Sequence, residues 1–308
     1  MSCRRFAAPF VVALCALAQP AAALSPILQF DFTAGSTANT GTGSQTAAAV
    51  TPGAVVATGG LDGSGSYQNH TAPTNGGPQY DIQEGRFGGT GLDDNLRSIT
   101  LTMWLEADVP FANGPHSNIS FFNTAGFSFT SREQSAGPTQ QFGVSTGNST
   151  QPVVLLDKAA NSTPDFGAGD VGNWRFLALT VDMIFDGANT NTTVNLYRGS
   201  LVDPVSLWGS GFRTQDGDRT TEIDNAFAIG NDRNGEYFNT QRQFLGEIDD
   251  VRFYGSGSAG VAVLSQGAIE EIRAAAVPEP ETASLFALGI ATLAGSARRQ
   301  RRRVRPTR

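Results

Sequence analysis

Short runs in which apolar and polar residues alternate recur along most of the chain, each bounded by turn residues. "ILQFDF" (27–32) has the two-residue period of a first strand. Residues 35–60 are rich in Gly, Ala, Ser and Thr and carry little periodic signal. After them come "SITLTMWLEAD" (98–108), "NISFFNTAGFSFT" (118–130), "QQFGVST" (140–146) and "PVVLLDK" (152–158). The series continues with "NWRFLALTVDMI" (173–184), "TTVNLYRG" (192–199), "NAFAIGND" (225–232) and "QFLGEIDDVRFY" (243–254). Asn-Gly, Asp-Gly and Gly-Pro pairs stand between them, and these residues supply the backbone angles of turns. In "WRFLALTVD" one face carries Trp174, Phe176, Ala178 and Thr180, and the other Arg175, Leu177, Leu179 and Val181. Apolar residues on both faces predict a strand covered on both sides. A helical period appears in "LSQGAIEEIRAAA" (264–276), where Ser265 suits the N-cap and Leu264, Ala268, Ile269 and Ile272 share a side. The sum is an all-β class: a two-sheet antiparallel β-sandwich closed by one short C-terminal helix.

The two ends follow a different logic. Arg4 and Arg5, the apolar stretch Phe6 to Ala18 and the small residues Ala21-Ala22-Ala23 have the order of a secretory signal peptide, residues 1–23, cut after Ala23. A lipoprotein signal fits less well, because Leu14 precedes Cys15 where a small residue is wanted. Cys3 and Cys15 both lie in that segment. The exported chain therefore has no thiol, disulfide or Cys-based zinc site, and an apolar core must hold it. Residues 24–276 are long enough for one large sandwich. The formal charge of −7 hides a more acidic body, since two arginines sit in the signal and seven between 298 and 308. Such a body repels phosphate backbones, which excludes nucleic acid as an expected partner, and it is compatible with divalent cations.

The order of "FDF" (30–32), "LDGSGSY" (61–67), "ITLTMWLEAD" (99–108), "NWRFLALTVD" (173–182), "VNLYRG" (194–199), "AIGND" (228–232) and "FLGEIDDVRFY" (244–254) resembles the laminin-G-like, concanavalin A-like jelly-roll family. Its closing phrase falls on Gly246, Ile248 to Tyr254 and Leu264-Ser265, and the likeness spans roughly 26–272. It departs at the longer Gly/Ser connection 255–263 and in the irregular region 110–172. The last 32 residues, 277–308, resemble a PEP-CTERM sorting signal: Val277-Pro278-Glu279-Pro280, an apolar segment and an arginine cluster. That likeness implies an exosortase-type sorting protease, a Gram-negative bacterium and a link to exopolysaccharide or biofilm. Ala283 to Ala297 is 15 residues, about 22 Å as a helix against a hydrocarbon core of ~30 Å. Residues 283–297 therefore suit a transient hold in the inner membrane, arginines on the cytoplasmic side, with a plain anchor as the alternative. The implied course is an inner-membrane-anchored precursor, then the cell surface or extracellular matrix.

The jelly-roll fold also hosts β-glucanases, whose active strand spaces three acids as E-x-D-x-E or E-x-D-x-x-E. Here Glu247 and Asp249 fill two places, but Val251 or Arg252 stands in the third, so no catalytic residue is assigned. The two histidines, His70 and His116, stand far apart in Gly/Asn/Pro-rich loops. No zinc pair or phosphate loop accompanies them. Resemblance implies a structural calcium at Asp249, with Asp31 and Asp62 as neighbours, while the plainer reading has these aspartates capping turns or pairing with residues such as Arg252. "GNDRNGE" (230–236) is a second oxygen-rich loop without EF-hand spacing. Tyr67, Tyr80, Tyr237 and Phe238 sit in polar, loop-like contexts where a ring can stack on a sugar or simply pack its own loop. Trp104, Trp174 and Tyr197 read as core. Five N-x-S/T sequons (Asn69, Asn118, Asn148, Asn161, Asn191) are coincidental in a chain this rich in Asn, Ser and Thr. The expected function is an exported carbohydrate-binding or adhesion module; a structural matrix component and a polysaccharide hydrolase are the alternatives.

Overall fold

The computed structural model describes residues 24–50, 53–70, 86–90, 94–108, 118–124, 126–133, 139–146, 153–159, 170–223, 226–231 and 244–277. The expected signal peptide, Tyr80, His116, Tyr237, Phe238, Pro278 to Pro280 and the apolar segment 283–297 lie outside them. Strands in chain order are β1 (Leu28–Phe30), β2 (Thr46–Val50), β3 (Ala54–Val56), β4 (Ser66–Asn69), β5 (Arg86–Thr90), β6 (Asp94–Leu96), β7 (Ser98–Ala107), β8 (Asn118–Thr124) and β9 (Phe127–Glu133). They continue as β10 (Thr139–Thr146), β11 (Val153–Ala159), β12 (Trp174–Phe185), β13 (Asn189–Ser200), β14 (Ser206–Asp216), β15 (Thr221–Ile223), β16 (Ala226–Ile229) and β17 (Gly246–Ser256). One helix, α1 (Gln266–Ala276), follows. Among the described residues, no helix is long and apolar enough to cross a membrane.

Two antiparallel sheets carry the fold. The larger runs β14-β13-β12-β7-β17-β4-β3, with β1 also on β17, and the smaller runs β11-β10-β9-β8-β16-β5-β2. Period-2 alternation sends Leu101, Met103 and Leu105 of β7 and Leu177, Leu179 and Val181 of β12 into one interior, and a bulge between Asp249 and Arg252 lets both Ile248 and Phe253 of β17 join them. The smaller sheet answers with phenylalanines. A register slip between Ser120 and Phe122 in β8 turns both Phe121 and Phe122 inward. Phe122 stacks on Phe253 at 5.1 Å between centroids, joining the layers.

The outer face of the larger sheet is apolar too, because α1 lies on it. Ile269 meets fully buried Trp104, Phe176 and Ala178, with Trp174, Tyr197, Leu264 and Ile272 around them. This is why "WRFLALTVD" is greasy on both sides. Ser265 caps α1 by accepting a hydrogen bond from the Ala268 N–H at 3.2 Å. The run 118–130, read as one stretch in the sequence, folds as a hairpin at Thr124, whose hydroxyl accepts from the Phe127 N–H at 2.9 Å.

Candidate functional site

Strand β17 organises the polar chemistry. One edge pairs with β7, first through Glu247 opposite Glu106 and Asp249 opposite Trp104, then, after a register slip, through Arg252 opposite Thr102. Its other edge pairs with β4 at Gly246 to Ile248 and with β1 at Val251 to Phe253. Asp249 and Asp250 fall where the partner strand changes. Asp250 takes a left-handed backbone angle, φ 42°, which costs about 1–2 kcal/mol for a residue with a Cβ. The bulge turns its carboxylate back onto Arg252, which donates two hydrogen bonds at 2.8 and 3.0 Å.

A glycine-rich loop, residues 59–65, closes over this point. The Leu61 N–H donates to Asp249 Oδ2 at 2.9 Å, and the Asp250 N–H donates to Oδ1 at 2.7 Å. Gly60 has φ 74°, and a side chain there would collide with the Gly65 carbonyl and reach Asp249 Oδ2. Burial pushes the Asp249 carboxyl up to about 7; the two N–H donors oppose this, and the Asp250 and Asp62 carboxylates add to it. Burial likewise raises Asp250 against the pull of Arg252, with Asp31 and Asp62 contributing repulsion. Asp62 is thus an electrostatic neighbour of both Asp249 and Asp250, and Asp31 of Asp250, although they are scattered in sequence. Asp31 and Asp62 also close turns, accepting from the Thr33 N–H at 3.2 Å and the Ser64 N–H at 2.7 Å. Among the described residues, no three Asp, Glu, His or Cys side chains are arranged as a metal-binding group.

Two residues back along β17 a second group forms on the same outer face. Glu247 Oε2 accepts from the Gly60 N–H at 3.1 Å and the Ser66 hydroxyl at 2.8 Å, and Oε1 accepts from the Gln68 amide at 2.8 Å. His70 Nδ1 lies 2.7 Å from Asp108 Oδ2, and its Nε2 lies 3.9 Å from Glu247 Oε1. The side chains of His70 and Asp108 are 49% and 35% exposed, that of Glu247 18%, so the group is open to solvent at one end. Glu106 faces Glu247 across the ladder. Burial raises its pKa first, the Glu247 and Asp108 charges add to this, and His70 opposes it. The third acid sought along β17 is absent there, but a second glutamate stands beside Glu247 on another strand. Spacing within one segment gives no sign of it. The alternation of "LTMWLEAD" places Glu106 on the Trp104 face, and that was the available signal.

The aromatic expectation is corrected at Tyr67. It lies in β4, not in a loop, opposite Ile248, and it is fully buried. Pairing with β17 turns Ser66 and Gln68 outward and Tyr67 inward, where its ring occupies the space beside Gly53. Tyr67 is therefore no sugar-stacking surface. Trp104 is buried beneath α1, and Trp174 and Tyr197 are partly buried there. Of the loop 230–236, the described residues are Gly230 and Asn231. Val277 ends α1, its N–H donating to the Ala274 carbonyl at 3.3 Å, and it packs on the Trp104 cluster.

Two stacked antiparallel sheets, with one helix leading straight into the tail, make this an all-β jelly-roll sandwich. The tail supplies the second half of the identification: residues 276–303 match the model of the PEP-CTERM protein-sorting motif. Such a motif marks an exported precursor that is handed to an exosortase, a membrane protease. No curated protein matches the chain. Among solved structures, mouse laminin alpha1 chain domains LG4-5 align over 55% of this chain and 38% of that one, at 8% identity and a TM-score of 0.34. The catalytic domain of the glycoside hydrolase family 131 protein from Coprinopsis cinerea aligns over 59% of this chain and 66% of that one, at 12% identity and a TM-score of 0.28. The chain thus spans less than two thirds of either structure's length.

Proposed function

We propose that this exported, exosortase-processed protein binds a polysaccharide at the cell surface or in the extracellular matrix through the outer face of its larger sheet. The observation that carries the reading is the partly open row of Gln68, His70, Glu106, Asp108 and Glu247 beside β17. Carboxylates, an amide and an imidazole at fixed positions suit the alternating donors and acceptors of sugar hydroxyls. Their negative charge favours neutral or amine-bearing polymers over uronates or sulfated chains. Co-sedimentation with insoluble neutral glucans, chitosan and alginate tests this. Retention on the first two, lost in Glu247→Gln and His70→Ala, supports it; no retention on any polymer leaves a purely structural matrix protein.

Calcium belongs to the same proposal. The repulsion among Asp31, Asp62, Asp249 and Asp250 favours a cation, although their side chains do not form a closed coordination set. Millimolar calcium should raise the melting temperature of the purified domain, and Asp249→Asn should remove the rise. An unchanged melting curve discards calcium and leaves the aspartates as turn and bulge residues.

One observation favours hydrolysis as a second reading: Glu106 and Glu247 are direct cross-strand neighbours. Such pairs have Cβ atoms ~4.5–5.5 Å apart, so rotation of the two side chains can bring their carboxyl groups to the about 5–5.5 Å that retaining glycosidases use. Glu106, with its raised pKa, would be the proton donor and Glu247 the partner carboxylate. Release of reducing ends, abolished by either Glu106→Gln or Glu247→Gln, is the expected result; bound polymer that stays intact rejects this reading.

A further inference from the structure

The turn after β13 carries two exposed apolar residues: Leu201 is 41% exposed and Val202 is 86% exposed. This turn is rigid. The Ser200 N–H donates to the Asp203 carbonyl at 3.0 Å, and the Ser200 hydroxyl accepts from the N–H groups of Val202 at 3.2 Å and Asp203 at 2.9 Å. It is also latched to α1. Arg273 donates to the Ser200 carbonyl at 2.7 Å, Glu270 accepts from the Val205 N–H at 2.7 Å, and Gln266 donates to the Val205 carbonyl at 2.8 Å. Gly199 lets Arg273 lie this close, since a Cβ there would sit 2.8 Å from Arg273 Cδ.

One helical turn past Arg273 the chain leaves the domain at Val277, itself packed on the α1 cluster. The apolar segment begins six residues later at Ala283, a reach of at most ~20 Å even when fully extended. Five residues, 278–282, separate the packed helix end from that segment. While that segment sits in the bilayer, Val277 stays within this reach of the lipid surface, and the Arg273–Ser200 hydrogen bond puts the Leu201-Val202 turn at the same end of the domain. We infer that this tip inserts its two side chains into the lipid interface of the anchored precursor, fixing which end of the domain faces the membrane and the exosortase. Two aliphatic side chains make a weak anchor without the tether, so the contact is lost once the tail is cut.

The inference rests on the sorting tail anchoring the precursor, and its test separates the two. With the signal removed, the chain has no cysteine, so Val202→Cys can carry a single environment-sensitive fluorophore. Ala188→Cys, exposed in the turn at the opposite end of β12 and β13, is the control, roughly 40 Å away by strand rise. Both labelled precursors are reconstituted into phosphatidylethanolamine–phosphatidylglycerol vesicles, floated, and read for emission and for quenching by spin-labelled lipid. The expected result is flotation of both, with blue-shifted, lipid-quenched emission at position 202, water-like emission at 188, and loss of the shift at 202 after removal of 278–308. Flotation with water-like emission at 202, or equal lipid exposure at 188, overturns the inference and leaves the tether intact. Failure to float overturns the tether and the inference together.

Discussion

Asp249 shows how one residue's surroundings set its chemistry. Its carboxyl is raised to about 7 by burial, whereas the unfolded chain releases the same proton near pH 4. The folded state therefore holds more protons between those values, and stability falls as pH rises from about 4 to about 7, with the full cost present above 7. Denaturant unfolding at pH 5 and pH 8 should show a wild-type loss on the order of 2–4 kcal/mol from this group. Asp249→Asn should flatten the dependence, and an equal slope in both proteins would contradict the buried-proton account. The residue was legible in the sequence as a candidate ligand. Its titration was not, because burial comes from Leu61 and the loop 59–65, far away along the chain.

At the scale of elements, α1 was readable almost in full: its apolar side, its Ser265 cap and its C-terminal end are local signals. Its place was not readable, because nothing local says that an amphipathic helix will choose the outer face over an edge. Ile269→Ala should cost roughly 2–5 kcal/mol for a buried aliphatic residue, and Ser265→Ala about 1 kcal/mol for the lost cap. Chemical denaturation of the two variants would reveal a peripheral helix if Ile269→Ala were near neutral. Strand β14 escaped the sequence reading because Gly209, Ser210 and Gly211 break the apolar period, and its surroundings are mostly solvent. What makes it a strand is its ladder with β13. Tyr67 went astray for the converse reason: polar neighbours made a loop of a strand whose inward side is fixed by Ile248.

For the whole molecule, fold and address meet at Val277. The domain ends in a packed helix, and the sorting motif starts at its last turn. Removing 278–308 should leave the melting temperature unchanged within about 1 °C, since the described core lies in 24–277. Ending the chain at 263 should lower it sharply, because Trp104, Phe176 and Ala178 would lose their cover, at ~1.5–3 kcal/mol for each large side chain exposed. Equal melting of both truncations, followed by near-UV circular dichroism, would mean that α1 contributes nothing to the fold.

By itself the sequence determined the all-β class, the capped helix, the order of signal-like, acidic and sorting segments, and the confinement of both cysteines to the signal-like segment. These follow from local periodicity and composition, which need no knowledge of neighbours. Tertiary structure decided that Glu106 faces Glu247, that the aspartates gather where β17 exchanges β4 for β1, that Tyr67 turns inward, and that Leu201 and Val202 lie beside the exit of the chain. Those are matters of strand register and docking between distant segments, and a ladder fixes them only when both partners are in place.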